Sequence, residues 1–289
     1  MLYPGIARTG DGVDPPALRT AAFRAVSILL AAPGRGSYVQ GVSRGSLFPD
    51  APDRQPVFNV PGAVAALALA LVFIHALRVL VLSDEADLEV LTYFAFVPAR
   101  YSLPDTLFYL PGGFGPKLWT PVSYAFLHAN WMHVIVNLVW LLAFGTPVAR
   151  RFGPARFVAF FAVTAAGGAL AHYLSYPDAL VPLIGASASV SGTMAAAVRF
   201  AFAPGAALSG RRAMFADHQP ASSLVESFQD RRVLVFVAAF FALNLLFAVG
   251  VSLPGTDGAQ IAWQAHVGGF IAGLLLFPLF DPVGKRQPA

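Results

Sequence analysis

Six long apolar runs leave this chain few ways to fold: residues 60–82, 131–149, 154–176, 185–203, 232–252 and 262–280. A helix rises about 1.5 Å per residue, so roughly 17 to 25 apolar residues carry it across a bilayer's hydrocarbon core. The chain is 57% apolar and 12% charged over 289 residues, with a mean hydropathy of +0.65, too greasy for one water-soluble domain of that length. The expected fold is an all-α membrane protein, a bundle of six transmembrane helices. Pro154 suits the first turn of the third helix, and Asp281-Pro282 stops the last. The fourth run is filled with Gly, Ala and Ser, so its neighbours are expected to shield it from lipid.

The basic residues orient the bundle, because Lys and Arg stay on the cytoplasmic side. Six Arg lie in 1–59, three at Arg150, Arg151 and Arg156, five in 199–232, and the tail adds Lys285 and Arg286. The alternate loops hold only Arg100 and Lys117, and the 83–120 segment carries five acids (Asp84, Glu85, Asp87, Glu89, Asp105). Both termini are therefore expected in the cytoplasm, and Arg78 near the outer end of the first helix is expected to snorkel to the headgroups. The pI near 9.6 reflects this topology and points to the lipid bilayer as partner, not to nucleic acid. The chain has no Cys, which excludes a disulfide framework, a thiolate metal site and a cysteine nucleophile. With the charge bias, that suits an integral multi-pass protein of a bacterial inner membrane.

Two stretches read as non-spanning. Residues 1–56 are rich in Gly, Pro, Arg and Asp and are expected to form a mostly disordered cytoplasmic arm. Its "AVSILLAA" (25–32) is read as an interfacial helical turn and not as a cleaved signal core. Residues 90–125 mix aromatics with Pro and Gly, too interrupted to span, and should lie in the outer interface. The membrane domain is thus placed at 57–282, with a cytoplasmic tail at 283–289.

Polar side chains at membrane depth are candidates for function. They are His75, His128, His133, Asn137, His172, Asn244 and His266, plus the serines of "GASASVSG" (185–192). His133, Ser187 and His266 fall near the outer ends of the second, fourth and sixth runs, about 5 to 10 Å below the surface at 1.5 Å per residue. His133 and Asn137 are four apart and share a helix face, as do Ser187 and Ser191. In "AHVGGFIAG" (265–273), His266, Gly269 and Gly273 share another. Small residues four apart let membrane helices approach backbone to backbone, so the fourth and sixth helices can meet with Ser187 opposite His266. Ser189 points about 200° from Ser187 by the 3.6-residue period and reads as packing. His75 and His172 read the same way, and Asn244 as an interhelical hydrogen-bonder.

A serine hydroxyl attacks well only when a base accepts its proton, and a neutral imidazole can do so. Ser187 and His266 would form such a dyad. With no buried carboxylate to hand, packing is expected to orient the histidine. Acyl transfer also needs donors for the oxyanion, which His133, the Asn137 amide and the Ser187 backbone N–H can supply. His128 can donate to the same region or hold a water.

These elements resemble the rhomboid family of intramembrane serine proteases over roughly 57–282. The segment "HANWMHVIVNLVWLLAFG" (128–145) looks like the family's H-x4-H-x3-N element, "AHVGGFIAG" like its AHxxG element, and Gly185, Ala186 and Ser187 like its GxSG motif. The resemblance implies a six-helix core, an interfacial first loop, a mobile fifth helix or its outer loop as substrate gate, and cleavage of transmembrane substrates near their outer ends without metal or cofactor. One position departs: Ala188 stands where the motif has Gly. Its methyl would press on the tight helix contact, which keeps open an impaired relative that only binds transmembrane segments. Moving the motif to "SVSG" would make Ser191 the nucleophile but set it a turn too deep. A transporter lacks the interrupted helix pairs it would need, and a metalloprotease lacks H-E-x-x-H.

Overall fold

The computed structural model describes residues 60–104, 109–202, 220–250 and 261–283. The arm expected at 1–56 and residues 284–289 of the tail lie outside these. Among the described residues every regular element is helical, apart from an isolated bridge between Phe96 and Leu183. The longer helices are α1 (Gly62–Leu80), α2 (Asp84–Phe94), α3 (Phe114–Ser123), α4 (Trp131–Phe152), α5 (Pro154–Ser175), α6 (Ser187–Val198), α7 (Arg231–Ala248) and α8 (Trp263–Phe280). Five of them, α1, α4, α5, α7 and α8, are long and apolar enough to cross a membrane. The chain folds as a helical membrane bundle, as its hydropathy pattern predicts.

The fourth apolar run folds differently from its expected extent. Of its described residues, 185–202, only the 12 of α6 are helical, about 18 Å of rise. A helix shorter than the bilayer is tolerated here because 11 of those residues are buried among neighbouring helices, so the irregular chain at either end meets protein. The expected shielding is present.

The packing that positions α6 rests on absent side chains. A Cβ on Gly269 would strike the Ala188 backbone, and one on Gly273 the Gly192 backbone. The pairs 188/269 and 192/273 keep a constant offset, so α6 and α8 run parallel and in register. Helix α5 crosses both in the opposite sense. Thr164 of α5 fills the space a Gly192 side chain would take, Ala171 lies against Gly268, and Ala272 against Gly167. Van der Waals contact between backbones is what holds helices together where lipid tails are as apolar as any side chain.

Among its described residues the 90–125 segment holds no helix long and apolar enough to span. Ser83 caps α2 by accepting from the Ala86 N–H (3.3 Å), a short turn follows at Ala99–Ser102, and α3 leads into α4. Tyr109, Phe114, Leu118 and Trp119 stay exposed along it, as an interfacial loop requires. Arg78 corrects its expected role. It is 7% exposed, ion-paired with Asp87 at 2.6 Å, and donates to the His128 carbonyl at 2.9 Å. A carboxylate one turn into α2 offers the guanidinium a closer partner than the headgroups do, so it ties α1 and α2 to the chain before α4.

Gly273→Val places side-chain atoms on the Gly192 backbone and is expected to destabilise the protein by about 1–3 kcal/mol, the usual cost of overpacking. The Tm in detergent should fall. Leu275→Val, at a position 58% exposed, should leave it nearly unchanged.

Candidate active site

The chain reaches Ser187 along a segment pinned at every step. Phe96 and Leu183 exchange both backbone hydrogen bonds (3.2 and 2.8 Å), the Gly185 N–H donates to the Tyr124 carbonyl (3.0 Å), and the Ala186 N–H donates to His128 Nε2 (3.4 Å). Burial holds the His128 ring well below the ordinary histidine range, so it is neutral and able to accept. This differs from the expected donor toward the oxyanion region. His128 instead braces the residue before Ser187, and Arg78 braces His128 through its carbonyl.

Gly185 is required at its position on two counts. Its φ of +120° lies in the region that favours glycine, and a Cβ there would sit 2.7 Å from His133 Nε2 and 3.8 Å from Ser187 Oγ. The missing side chain thus leaves a gap with the His133 ring on one flank and the Ser187 hydroxyl on the other. His133 Nδ1 accepts from the Ala129 N–H (3.4 Å), which places the ring proton on Nε2, facing that gap. Asn130 caps α4 by accepting from the His133 N–H (2.9 Å), fixing where the ring begins. Asn137, four residues on and buried, donates one amide hydrogen to the His133 carbonyl (2.9 Å) and keeps its second.

The hydroxyls of GASASVSG separate cleanly. Ser189 Oγ donates to the Phe161 carbonyl of α5 (2.8 Å), the packing role expected of it. Ser191 Oγ donates back to the Ser187 carbonyl (2.8 Å) and the residue is 4% exposed, so it is a helix-bonded hydroxyl of the interior. Ser187, the first residue of α6, is half-buried.

His266 stands one turn before Gly269 on α8. The constant offset between the two parallel helices sets it about two residues, or 3 Å along the axis, from the level of Ser187. Its ring is not oriented by packing alone, as the sequence led us to expect. Its Nδ1 lies 2.9 Å from Asn244 Oδ1 on α7, and Phe247 meets it edge to face at 6.4 Å between centroids. The signal for Asn244 was legible as a lone amide in an apolar helix, but only the fold supplies its partner.

Ala188 also differs from expectation. Its backbone carries the contact with Gly269, while its methyl lies against Gly168 of α5, where a second Cβ would collide with it and come close to the Ala265 carbonyl of α8. The methyl therefore fills space that a glycine on α5 leaves open. His75 is fully buried against Trp131 (centroids 4.7 Å apart), and His172 lies beside Tyr176 (5.9 Å), both as packing residues.

A family model described as the Rhomboid domain matches residues 115–281, more than half of the chain and all of the longer helices except α1, α2 and the first residue of α3. The chain is 29% identical over 160 residues to rhomboid protease GlpG of Serratia proteamaculans (strain 568), covering 55% of this chain and 47% of that protein. It is 34% identical over 93 residues to Rhomboid-like protease 3 of Toxoplasma gondii, covering 31% and 35%, respectively. RHOMBOID-like protein 5 of Arabidopsis thaliana is 27% identical over 160 residues, covering 55% and 42%. The chain thus spans less than half the length of each of these relatives.

The Ala188–Gly168 fit makes a double substitution informative. Gly168→Ala alone should lower the Tm, since its methyl meets that of Ala188; Ala188→Gly in the same molecule should recover part of the loss. The remainder reflects the Ala265 carbonyl and Tyr124 hydroxyl, 2.8 and 3.0 Å from the same point. Additive losses would show that the two methyls do not meet.

Proposed function

The chain belongs to the rhomboid family, and we propose that it is an intramembrane serine endopeptidase using Ser187 as nucleophile and His266 as base. Its substrates are transmembrane proteins, cut near the outer membrane face. The observation that carries this reading is the α6–α8 register, which brings an imidazole to within about 3 Å of the level of a hydroxyl at the start of a buried helix, at two residues of 1.5 Å rise, beside a gap faced by a ring N–H. The proposed domain is the membrane bundle of 57–282, with both termini cytoplasmic, as the basic loops favour. The cysteine-free chain and its charge bias favour a bacterial inner membrane.

Ser187 Oγ attacks the scissile carbonyl carbon as its proton passes to His266 Nε2. The carbonyl oxygen becomes an anion in the gap beside Gly185. His133 Nε2–H and the Ser187 backbone N–H, whose helix offers it no acceptor in the first turn, stabilise that charge, with the free hydrogen of the Asn137 amide adding to them. Collapse of the tetrahedral species breaks the C–N bond, and the imidazolium hands its proton to the leaving amine. A water, deprotonated by the same imidazole, then hydrolyses the acyl-serine and regenerates the hydroxyl. Gly185 keeps the gap open, Gly269 and Gly273 hold the two helices at contact distance, and His128 fixes the approach to Ser187.

The Ala188 methyl was the motive for an impaired, segment-binding relative. Its fit into the space that Gly168 leaves open on α5 favours the catalytic reading.

A fluorophosphonate probe should label the wild-type protein in detergent, and a model single-span substrate should be cleaved in proteoliposomes. Ser187→Ala and His266→Ala should each abolish both signals, whereas Ser191→Ala should keep them. Cleavage retained in Ser187→Ala or in His266→Ala contradicts the assignment. Gly185→Ala should lower kcat/KM by at least about 10²-fold, because its methyl displaces His133 or fills the oxyanion gap.

A further inference from the structure

Helix α7 is apolar from Val233 to its end apart from Asn244, and among its described residues only Val233 and Asn244 are buried. An amide in such a helix is costly unless its hydrogen bonds are made. Both of its polar atoms have found partners. Nδ2 donates to the Phe240 carbonyl one turn earlier (2.8 Å), and Oδ1 lies 2.9 Å from His266 Nδ1 across the α7–α8 contact. The first bond settles the second: with the NH₂ group turned to its own helix, the oxygen must face the ring, and an oxygen can only accept. The stacking of Phe240 on Phe270 (centroids 4.6 Å apart) and the edge-on contact of Phe247 with His266 hold the two helices at this distance.

We propose that Asn244 is the positioning residue of the catalytic base, accepting the Nδ1 proton of His266 and so keeping the Nε2 lone pair available for the serine proton. The proposal rests on the reading of His266 as base. In an imidazole with no such partner the proton is free to sit on either nitrogen, and the tautomer protonated on Nε2 cannot act on Ser187. Asn244 removes that ambiguity and fixes the rotation of the ring. It supplies what a carboxylate commonly supplies in soluble serine hydrolases, without placing a charge in the bilayer. Because the bond crosses from α7 to α8, the competence of the base depends on the seating of α7.

Three measurements on the full chain test this. In steady-state cleavage of a single-span substrate, Asn244→Leu should reduce kcat by about 10²-fold with KM little changed. Asn244→Asp should restore activity to within about tenfold of wild type, since a neutral acid can donate to Phe240 with one oxygen and accept from His266 with the other. In 15N-histidine spectra of the wild-type protein, the resonances lost in His266→Ala should show the Nδ1-protonated tautomer. Wild-type kcat in Asn244→Leu, equal losses in the Leu and Asp variants, or an Nε2-protonated His266 would each overturn the role. The spectrum decides even if Asn244→Leu does not fold. Retained cleavage in His266→Ala would instead overturn the dyad itself, so the two failures are told apart.

Discussion

The close approach of α6 and α8 is the constraint on which the site depends. At Gly269 and Gly273 there is no room for a β-carbon, because the backbone of α6 occupies it. Two parallel helices locked at successive turns cannot slide or rotate against each other without opening that contact. Every side chain they carry is thereby fixed in level, including Ser187 at the start of one and His266 near the start of the other. In a bilayer, where apolar side chains gain little by leaving lipid, this backbone contact is the means of holding a small, irregular helix inside a bundle. Helix α6 accepts hydroxyls where other helices carry Leu and Phe because its own and its neighbours' carbonyls take them up, as Ser189 and Ser191 show.

Around that contact the rest of the bundle acts as bracing. Asp87 holds Arg78, Arg78 holds the His128 carbonyl, and His128 takes the N–H of Ala186, so a chain of bonds runs from the 84–94 helix to the residue before Ser187. The far end of the molecule is closed separately: Arg151 of α4 pairs with Asp281 after α8 at 2.8 Å and lies against the Phe200 and Phe277 rings. On the remaining side, α7 is lightly packed and meets the site through the Asn244 amide and the Phe247 ring. The proposed base is therefore held from α8 by the backbone and from α7 by a hydrogen bond.

Much of this was legible in the sequence because it is written in periods and in residue size. The apolar runs marked the five helices long enough to span, the four-residue spacing of small residues marked the α6–α8 seam, and the shared depth of His133, Ser187 and His266 marked the candidate site. What the sequence could not show were contacts between segments distant in the chain. Asn244 and His266 are 22 positions apart on different helices, so the amide was visible and its partner was not. Arg78 looked like a lipid anchor because its partner Asp87 lies beyond a chain reversal. The direction of the Ala188 methyl depended on Gly168, a residue that carries no sign of its own. The extent of the fourth run was overread because hydropathy does not register that a buried helix can stop short of the bilayer's thickness.

The most direct test of the account uses the absence of native cysteine from the 289-residue chain. Cysteines placed at 187 and 266, and in a second protein at 189 and 266, can be joined in membranes by a short thiol-specific linker and the crossed peptides read by mass spectrometry. The α6–α8 register predicts efficient linkage of the 187/266 pair and little of the 189/266 pair, whose first member faces α5. The reverse pattern, or no linkage in either, would contradict the placement of the hydroxyl opposite the imidazole.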